Sequence, residues 1–261
     1  LVLTNLGWVR TDQLDPGLHL VAINREIDIE EIPYNIDLRK YCKYEYVEKD
    51  GCLFKAGSKT VRKDRQLEIV SYFSSPFADI AIDFDLAWAF GLWFAEGSVA
   101  VNNKKLPNGI RITTNNKDEK DLANKWLKII SKKFNINGNT NESFVVRNGS
   151  ENSWYTVNVN SGIVGNLFNS FGKGCKEKII PNWILNLPKQ TLKGFLDGIL
   201  SGDGSIKRSG ECRITLANPQ LILQLYKIGL KLGLPMSLQM QEKAGELATT
   251  KYVYTLVFRN S

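Results

Sequence analysis

Two apolar stretches with the same ending organise the hydrophobic pattern of this chain. Ala89-Phe90-Gly91-Leu92-Trp93-Phe94-Ala95-Glu96-Gly97 and Leu196-Asp197-Gly198-Ile199-Leu200-Ser201-Gly202-Asp203-Gly204 are each mainly apolar. Each closes on one carboxylate followed by Gly and continues with Ser, Ser98 or Ser205. Each also carries small residues four apart, Gly91 and Ala95 in the first and Gly198 and Gly202 in the second. Positions i and i+4 share a helix face, so each stretch is predicted as a helix with a smooth face that a second backbone can approach closely. The closing Gly suits a helix end. Packing through these faces would bring Glu96 and Asp203 side by side.

The pattern after each stretch is also repeated. Ser98–Lys104 and Gly109–Asn115 alternate as strands. Asn116–Phe134 has helical spacing, with Leu122, Trp126, Leu127, Ile129 and Ile130 apolar. Ser143–Arg147 and Ser153–Val159 form a hairpin around Asn148-Gly149, and Ile163–Phe171 is a short helix. The second half restarts with a helix at Gln190–Gly202, a hairpin from Ser205–Arg208 and Cys212–Ala217, a helix at Asn218–Leu232, and strands at Pro235–Lys243 and Lys251–Arg259. Arg111-Ile112-Thr113 and Arg213-Ile214-Thr215 occupy one place in the two copies, 102 residues apart, while Glu96 and Asp203 are 107 apart. A hairpin tip shorter by five in the second copy accounts for the difference. The internal repeat predicts an α+β fold of two pseudo-symmetric αββαββ(α) units, 86–187 and 188–261, with antiparallel sheets. The second unit stops before its last helix, so the C-terminus is expected to be clipped. The chain also begins without Met, which suggests a processing or cloning boundary.

Residues 1–85 stand apart as a β-rich extension. Leu3-Thr4-Asn5-Leu6-Gly7-Trp8-Val9 through Asp15-Pro16-Gly17 reads as strand, turn, strand. It resembles the part of intein splicing domains in which a Gly-Trp-Val strand precedes a Leu-x-x-Gly turn. The splicing nucleophile and the Thr-x-x-His block are not in the chain, so splicing is not predicted. A hairpin is expected over Lys40–Phe54 with Asp50-Gly51 as its turn. Lys55, Lys59, Arg62, Lys63 and Arg65 then face Asp64 alone, either a solvated loop or a phosphate-contacting arm.

Composition narrows the function. With 43% hydrophobic residues in 261, a sizeable core is affordable. The net charge of +7 favours a polyanionic partner. Four scattered Cys and the single His19 argue against a zinc site or a disulfide framework and suit a reducing, intracellular setting, whether cytoplasm, nucleoid or organelle. The longest apolar run, Leu86–Ala95, is too short for a bilayer span, so no membrane association is expected.

The paired motifs resemble those of the LAGLIDADG homing endonucleases. Gly91, Ala95, Glu96 and Gly97 match the first motif, with Glu96 where Asp is commoner; Gly198, Gly202, Asp203 and Gly204 match the second. The resemblance covers roughly residues 86–261. It implies a DNA-binding saddle, cleavage of both strands of a long, partly symmetric target, and 3′ overhangs. The protein would be a monomer without protein partners. Lys178-Ile179-Ile180-Pro181 resembles the family's Lys-x-Ile-Pro segment and makes Lys178 a catalytic candidate, polarising water or stabilising charge on phosphate.

Two carboxylates at neighbouring helix ends repel each other and sit badly against the helix dipoles. A hard divalent ion resolves both problems, since Mg²⁺ binds one or two carboxylates, keeps waters and takes phosphate oxygens. Glu96 and Asp203 are the expected catalytic metal ligands, with Ala95 and Gly202 beside them. Mn²⁺ is expected to substitute, and Ca²⁺ to permit binding without cleavage. On the strands, alternation places Ser98, Asn102, Lys104, Arg111, Thr113 and Asn115 on one face. Arg147, Thr156 and Asn158 join them, and Ser205, Lys207, Arg213, Thr215, Ser237, Gln239, Gln241, Thr255 and Arg259 form the second-half counterpart. None is acidic. Arg, Asn and Gln suit base edges, and a β-ribbon fits the major groove. The leading reading is a double-stranded DNA endonuclease; the alternatives are a non-cleaving DNA- or RNA-binding relative, such as a regulator or intron maturase, and a structural interaction module.

Overall fold

The computed structural model describes residues 2–4, 7–15, 34–56, 60–63, 66–69, 75–115, 119–147, 150–242 and 252–259. At its centre two helices cross. The first motif helix, Phe84–Glu96, starts at Asp83, whose side chain accepts from the Leu86 amide at 3.0 Å. Every residue from Leu86 to Phe94 is buried, as expected of a helix that is apolar all round. The second, Lys189–Asp203, buries Leu192, Gly194, Phe195, Leu196, Gly198, Ile199 and Leu200.

Their backbones touch. A Cβ added at Gly91 would stand 2.0 Å from the Phe195 carbonyl oxygen, and one at Gly198 would stand 2.1 Å from that of Trp88. At Gly202 it would meet the Ala95 Cβ at 2.6 Å, and at Gly194 the Phe84 oxygen at 2.5 Å. Gly194 therefore extends the smooth stripe one turn beyond the sequence expectation. Phe90, Trp93, Phe168 and Phe171 pack beside the crossing, with Phe90 stacked on Phe168 at 4.9 Å between ring centres.

Each motif helix feeds a four-stranded antiparallel sheet. The first runs Gly97–Val101, Pro107–Asn115, Ser150–Val159, Gly138–Arg147 in spatial order, and the second runs Gly204–Ile206, Glu211–Leu216, Tyr252–Arg259, Met236–Glu242. Both place the third strand of the unit at the edge, beyond the fourth. Lys120–Phe134 backs the first sheet and buries Ala123, Trp126, Ile130 and Phe134; Pro219–Lys231 backs the second. Helix Gly162–Asn169 also packs under the first sheet. Val99 leans on the core there, whereas its second-half counterpart Ile206 is 64% exposed. The two-unit α+β expectation holds.

Three expectations need adjustment. Ser98–Lys104 was expected to be strand throughout, but the strand ends at Val101. There Asn102 turns the chain, accepting from the Lys104 amide at 2.9 Å and the Leu106 amide at 3.1 Å. Lys207 likewise lies past the end of its strand. In the other direction, the strand expected from Ser143 begins at Gly138. The run Gly138-Asn139-Thr140-Asn141 has weak strand propensity and pairs only because Ser150–Val159 templates it.

The N-terminal part is set apart in sequence, but its residues between 34 and 54 and between 78 and 82 contribute to the core. Ile36, Leu38, Leu53, Ala78, Ile80 and Ile82 belong to the same buried cluster as the motif helices. Tyr34 stacks on Trp183 at 4.9 Å, and the Asn166 amide donates to the Tyr41 carbonyl at 2.9 Å. Arg39 ties the segment together, meeting Glu48 and Asp79 at 2.8 Å and Asp37 at 3.0 Å. The hairpin Tyr46–Lys49/Cys52–Lys55 turns at Asp50 and Gly51, with φ of 51° and 72°, as a two-residue primed turn requires. Val2–Thr4 pairs with Gly7–Val9. His19, Lys59, Asp64, Arg65 and the Asn148-Gly149 turn lie outside the described residues.

Gly91→Ala and Gly198→Ala are each expected to destabilise the protein by about 3 kcal/mol. The added methyl meets backbone that cannot move aside, and this outweighs the gain of about 1 kcal/mol in helix propensity. Urea unfolding of the purified variants measures the difference.

Candidate active site

Because the helices cross through their small residues, both carboxylates reach one place. Gly202 lies against the first helix so closely that an added Cβ would stand 3.1 Å from the Glu96 Cγ. Glu96 and Asp203 are partly buried at the two helix ends, where the first strand of each sheet begins. Burial pushes the Glu96 carboxyl up to about 7, and neighbouring Asp203 and Glu119 add to the rise while Lys178 opposes it. Burial also raises Asp203, again opposed by Lys178. The pair is short of positive charge.

Glu119 is a contributor that strand alternation did not reveal. It precedes helix Lys120–Phe134 and its Oε2 accepts from the Asn115 amide at 3.0 Å. An Asn-x-x-x-Glu spacing at a strand-to-helix turn was the only sequence signal for it.

Lys178 is brought to the same place but is oriented differently from the expectation. Only 2% exposed, its ammonium donates to the carbonyls of Trp93 at 3.0 Å, Phe94 at 2.9 Å and Gly97 at 2.8 Å. It also lies 4.6 Å from the centre of the Trp93 ring. An ammonium has three hydrogens, and all three are taken. Lys178 therefore caps the C-terminal end of the first motif helix, where carbonyls are otherwise without partners, rather than reaching out toward a phosphate. Burial pulls its amine down to about 8, against the opposing pull of Asp203 and Glu96. Its own segment is clamped from the second half: the Asn218 amide donates to the Lys178 carbonyl at 2.8 Å, and Gln224 makes a paired contact with Ile180 at 2.7 and 2.8 Å.

The strand faces follow the alternation. Arg111 pairs across to Ser98 on one side and Asn158 on the other, and Thr113 pairs with Thr156. In the second sheet Arg213 lies opposite Ser205, Thr215 opposite Thr255, and Gln239 opposite Thr255 on the outer side. Ser237, Gln239, Gln241 and Arg259 are exposed. The longer edge strand adds Asn139, Asn141 and Ser143 to the first face, in register with Asn158, Thr156 and Trp154. Trp154, 37% exposed, was also missed. The Arg147 side chain lies outside the described residues. Hydroxyls of Thr113 and Thr156 hydrogen-bond at 3.1 Å, and those of Thr215 and Thr255 at 2.9 Å. One corresponding Thr pair thus occupies each sheet.

Beside the named positions the face also carries an acid. Glu211 lies on it and pairs with Arg213 at 2.7 Å and with Lys207 at 2.8 Å. Asn102 and Lys104 are on a turn at the sheet's end rather than on its face.

Residues 83–170 match the family model described as a LAGLIDADG-like domain. Among curated proteins, the chain is 31% identical over 149 residues to the replication factor C small subunit of Methanocaldococcus jannaschii, a match covering 56% of this chain and 8% of that protein. It is 25% identical over 178 residues to the ATP-dependent DNA helicase Hel308 of Thermococcus kodakarensis, covering 66% of this chain and 15% of that protein. The chain thus spans less than a sixth of either relative. Solved structures similar to it include the homing endonuclease I-WcaI bound to its DNA recognition sequence, with TM-score 0.46, 11% identity, and 67% and 75% of the two chains covered. Full-length DUF199/WhiA from Thermatoga maritima gives TM-score 0.41 and 11% identity, covering 68% and 52%.

The resemblance to LAGLIDADG proteins implies a divalent metal, and the donor set can be tested against one. Among the described residues no cluster of three or more His, Cys, Asp or Glu is arranged to hold an ion. Two carboxylates with neighbouring backbone carbonyls, completed by water and phosphate, suit a hard ion such as Mg²⁺. The raised Glu96 carboxyl marks a place where a cation would be stabilised. The residues fit the group.

Between the ordinary Glu value of 4.5 and about 7, the folded protein holds a proton on Glu96 that the unfolded chain has released. Stability in metal-free buffer therefore falls as pH rises through that window. Glu96→Gln is expected to melt higher than the parent at pH 8 in chelator and equally at pH 4.5; differential scanning calorimetry at the two pH values reads the difference.

Proposed function

We propose that the chain is a site-specific double-stranded DNA endonuclease that hydrolyses one phosphodiester on each strand of a long, partly symmetric target. The observation that carries this reading is the delivery of Glu96 and Asp203 to one point by two crossing helices, each of which opens directly into a sheet with an outward face of Arg, Asn, Gln and Thr. Glu96 and Asp203, with the carbonyls of Ala95 and Gly202, would hold Mg²⁺ or Mn²⁺. When bound, such an ion supplies Lewis acidity and lowers the pKa of water. Ca²⁺ would support binding without cleavage. The sheets would lie in successive major grooves, with phosphate contacts making affinity steeply salt-dependent. The double motif in one chain supports action as a monomer on DNA inside the cell. The Gly7-Trp8-Val9 segment, and a match to small parts of long curated proteins, support an intein-related origin.

Lys178 acts here as a positioning residue. It holds the carbonyls on both sides of Glu96 and so fixes where that carboxylate points. Arg213 and Lys207 share one carboxylate, Glu211, which holds the guanidinium in place before DNA arrives.

The deciding experiment incubates a randomised duplex library with the protein in Mg²⁺ and in Ca²⁺ and sequences captured and cut ends. Cutting at one long motif in Mg²⁺, with capture alone in Ca²⁺, is expected. Capture without cutting in either ion would instead assign the chain to non-cleaving nucleic-acid binders. On the recovered target, Glu96→Gln and Asp203→Asn should abolish double-strand cutting and keep binding within about threefold; undiminished cutting removes both from the mechanism. Lys178→Met is expected to raise the Mg²⁺ concentration for half-maximal cutting. A fall in maximal rate with unchanged Mg²⁺ dependence would show that the amine acts on the phosphate itself.

A further inference from the structure

A cavity of about 300 Å³ lies at the far end of the first sheet, between it and the N-terminal part. Tyr44 and Lys55 line it from one side, and Asn102, Asn108, Asn160 and Ser161 from the other; no Asp or Glu among the described residues lines it. Its polar groups are set to donate. Ser161 is only 7% exposed; its hydroxyl oxygen accepts from the Val164 amide at 3.5 Å, and its hydrogen meets no acceptor among the described residues. The Asn102 carbonyl oxygen is committed to two amides of its own turn, so this side chain offers the cavity its NH₂. The Lys55 ammonium stands over the Tyr44 ring, 5.3 Å from its centre, which holds the charge at the cavity. A cationic, donor-rich lining with one deeply buried hydroxyl recognises an oxyanion.

Its place in the fold identifies the source of that anion. The strand that starts beside Glu96 at Gly97 ends at Val101, so Asn102, which turns the chain there, and Asn160, which follows Ser150–Val159, lie at the end of the first sheet away from the centre. A duplex lying on the outward face passes this end. We propose that the cavity binds a backbone phosphodiester of the DNA flanking the target on the first-half side, so that the N-terminal part extends the interface through Lys55. This inference rests on the reading of the outward faces as DNA-contacting.

The test uses the full chain in Ca²⁺ and fluorescence anisotropy with the selected duplex, trimmed stepwise from either end, over about 50–200 mM salt. Lys55 is exposed on its hairpin, so Lys55→Gln should fold. It is expected to bind the long duplex about tenfold more weakly and to lower the slope of log affinity against log salt by about 1. Lys55→Arg should recover the affinity. Once one end is trimmed past the cavity, parent and Lys55→Gln should bind alike. Equal affinity and slope for parent and Lys55→Gln on every duplex overturns the inference while leaving the endonuclease reading intact. Calorimetric binding of inorganic phosphate that depends on Lys55, with DNA affinity unchanged, overturns the assignment to DNA. A parent protein that selects no duplex overturns both readings.

Discussion

Everything in this molecule depends on two helices crossing at backbone contact. Close approach is possible only where side chains are missing, and Gly91, Gly194, Gly198 and Gly202 supply the gaps, with Ala95 filling the last one. The crossing spans three turns, so the relative rotation of the helices is fixed as well as their distance. Two consequences follow directly. The C-terminal ends arrive together with their acidic residues, and the sheets that begin at Gly97 and Gly204 leave from one point in a pseudo-symmetric pair.

That arrangement is electrostatically costly. Acidic groups at helix C-termini oppose the dipole, and here they are also partly buried and close to one another. The protein meets part of the cost with Lys178, whose three hydrogens satisfy carbonyls at the end of the first helix. The same lysine belongs to the segment joining the halves, and Asn218 and Gln224 of the second half hold that segment in place. The first helix end is thus positioned by groups from across the pseudo-symmetry axis. What remains uncompensated, expressed in the raised carboxyl of Glu96, is the feature that a divalent cation would relieve.

Away from the centre, the sheets show how strand registry builds a recognition surface from modest residues. Thr113–Thr156 and Thr215–Thr255 occupy equivalent places and tie neighbouring strands by hydroxyl contacts. Glu211 sits among basic residues and orders them rather than leaving them free. At the end of the first sheet, the N-terminal hairpin closes a donor-lined cavity against the turns that follow its strands. The positive balance of the chain is therefore distributed over a surface that includes the extension as well as the two repeats.

The sequence by itself determined the two motif helices, the repeat order and the alternation of the strands, because each rests on local periodicity: 3.6 for the helices, 2 for the strands, and a carboxylate-Gly ending that recurs. It also determined that Glu96 and Asp203 meet, since the spacing of the small residues admits one close crossing. Tertiary structure alone decided what the isolated signals left open. Lys178 lies at the centre, but its amine faces carbonyls from Trp93 to Gly97, which local sequence cannot specify. Asn139, Asn141 and Ser143 join the outward face because a neighbouring strand supplies their hydrogen-bond partners. The N-terminal segment shares the core because Leu38, Leu53 and Ile80 find apolar surface only against the first repeat. Pairing across sequence distance, rather than propensity, governs each of these.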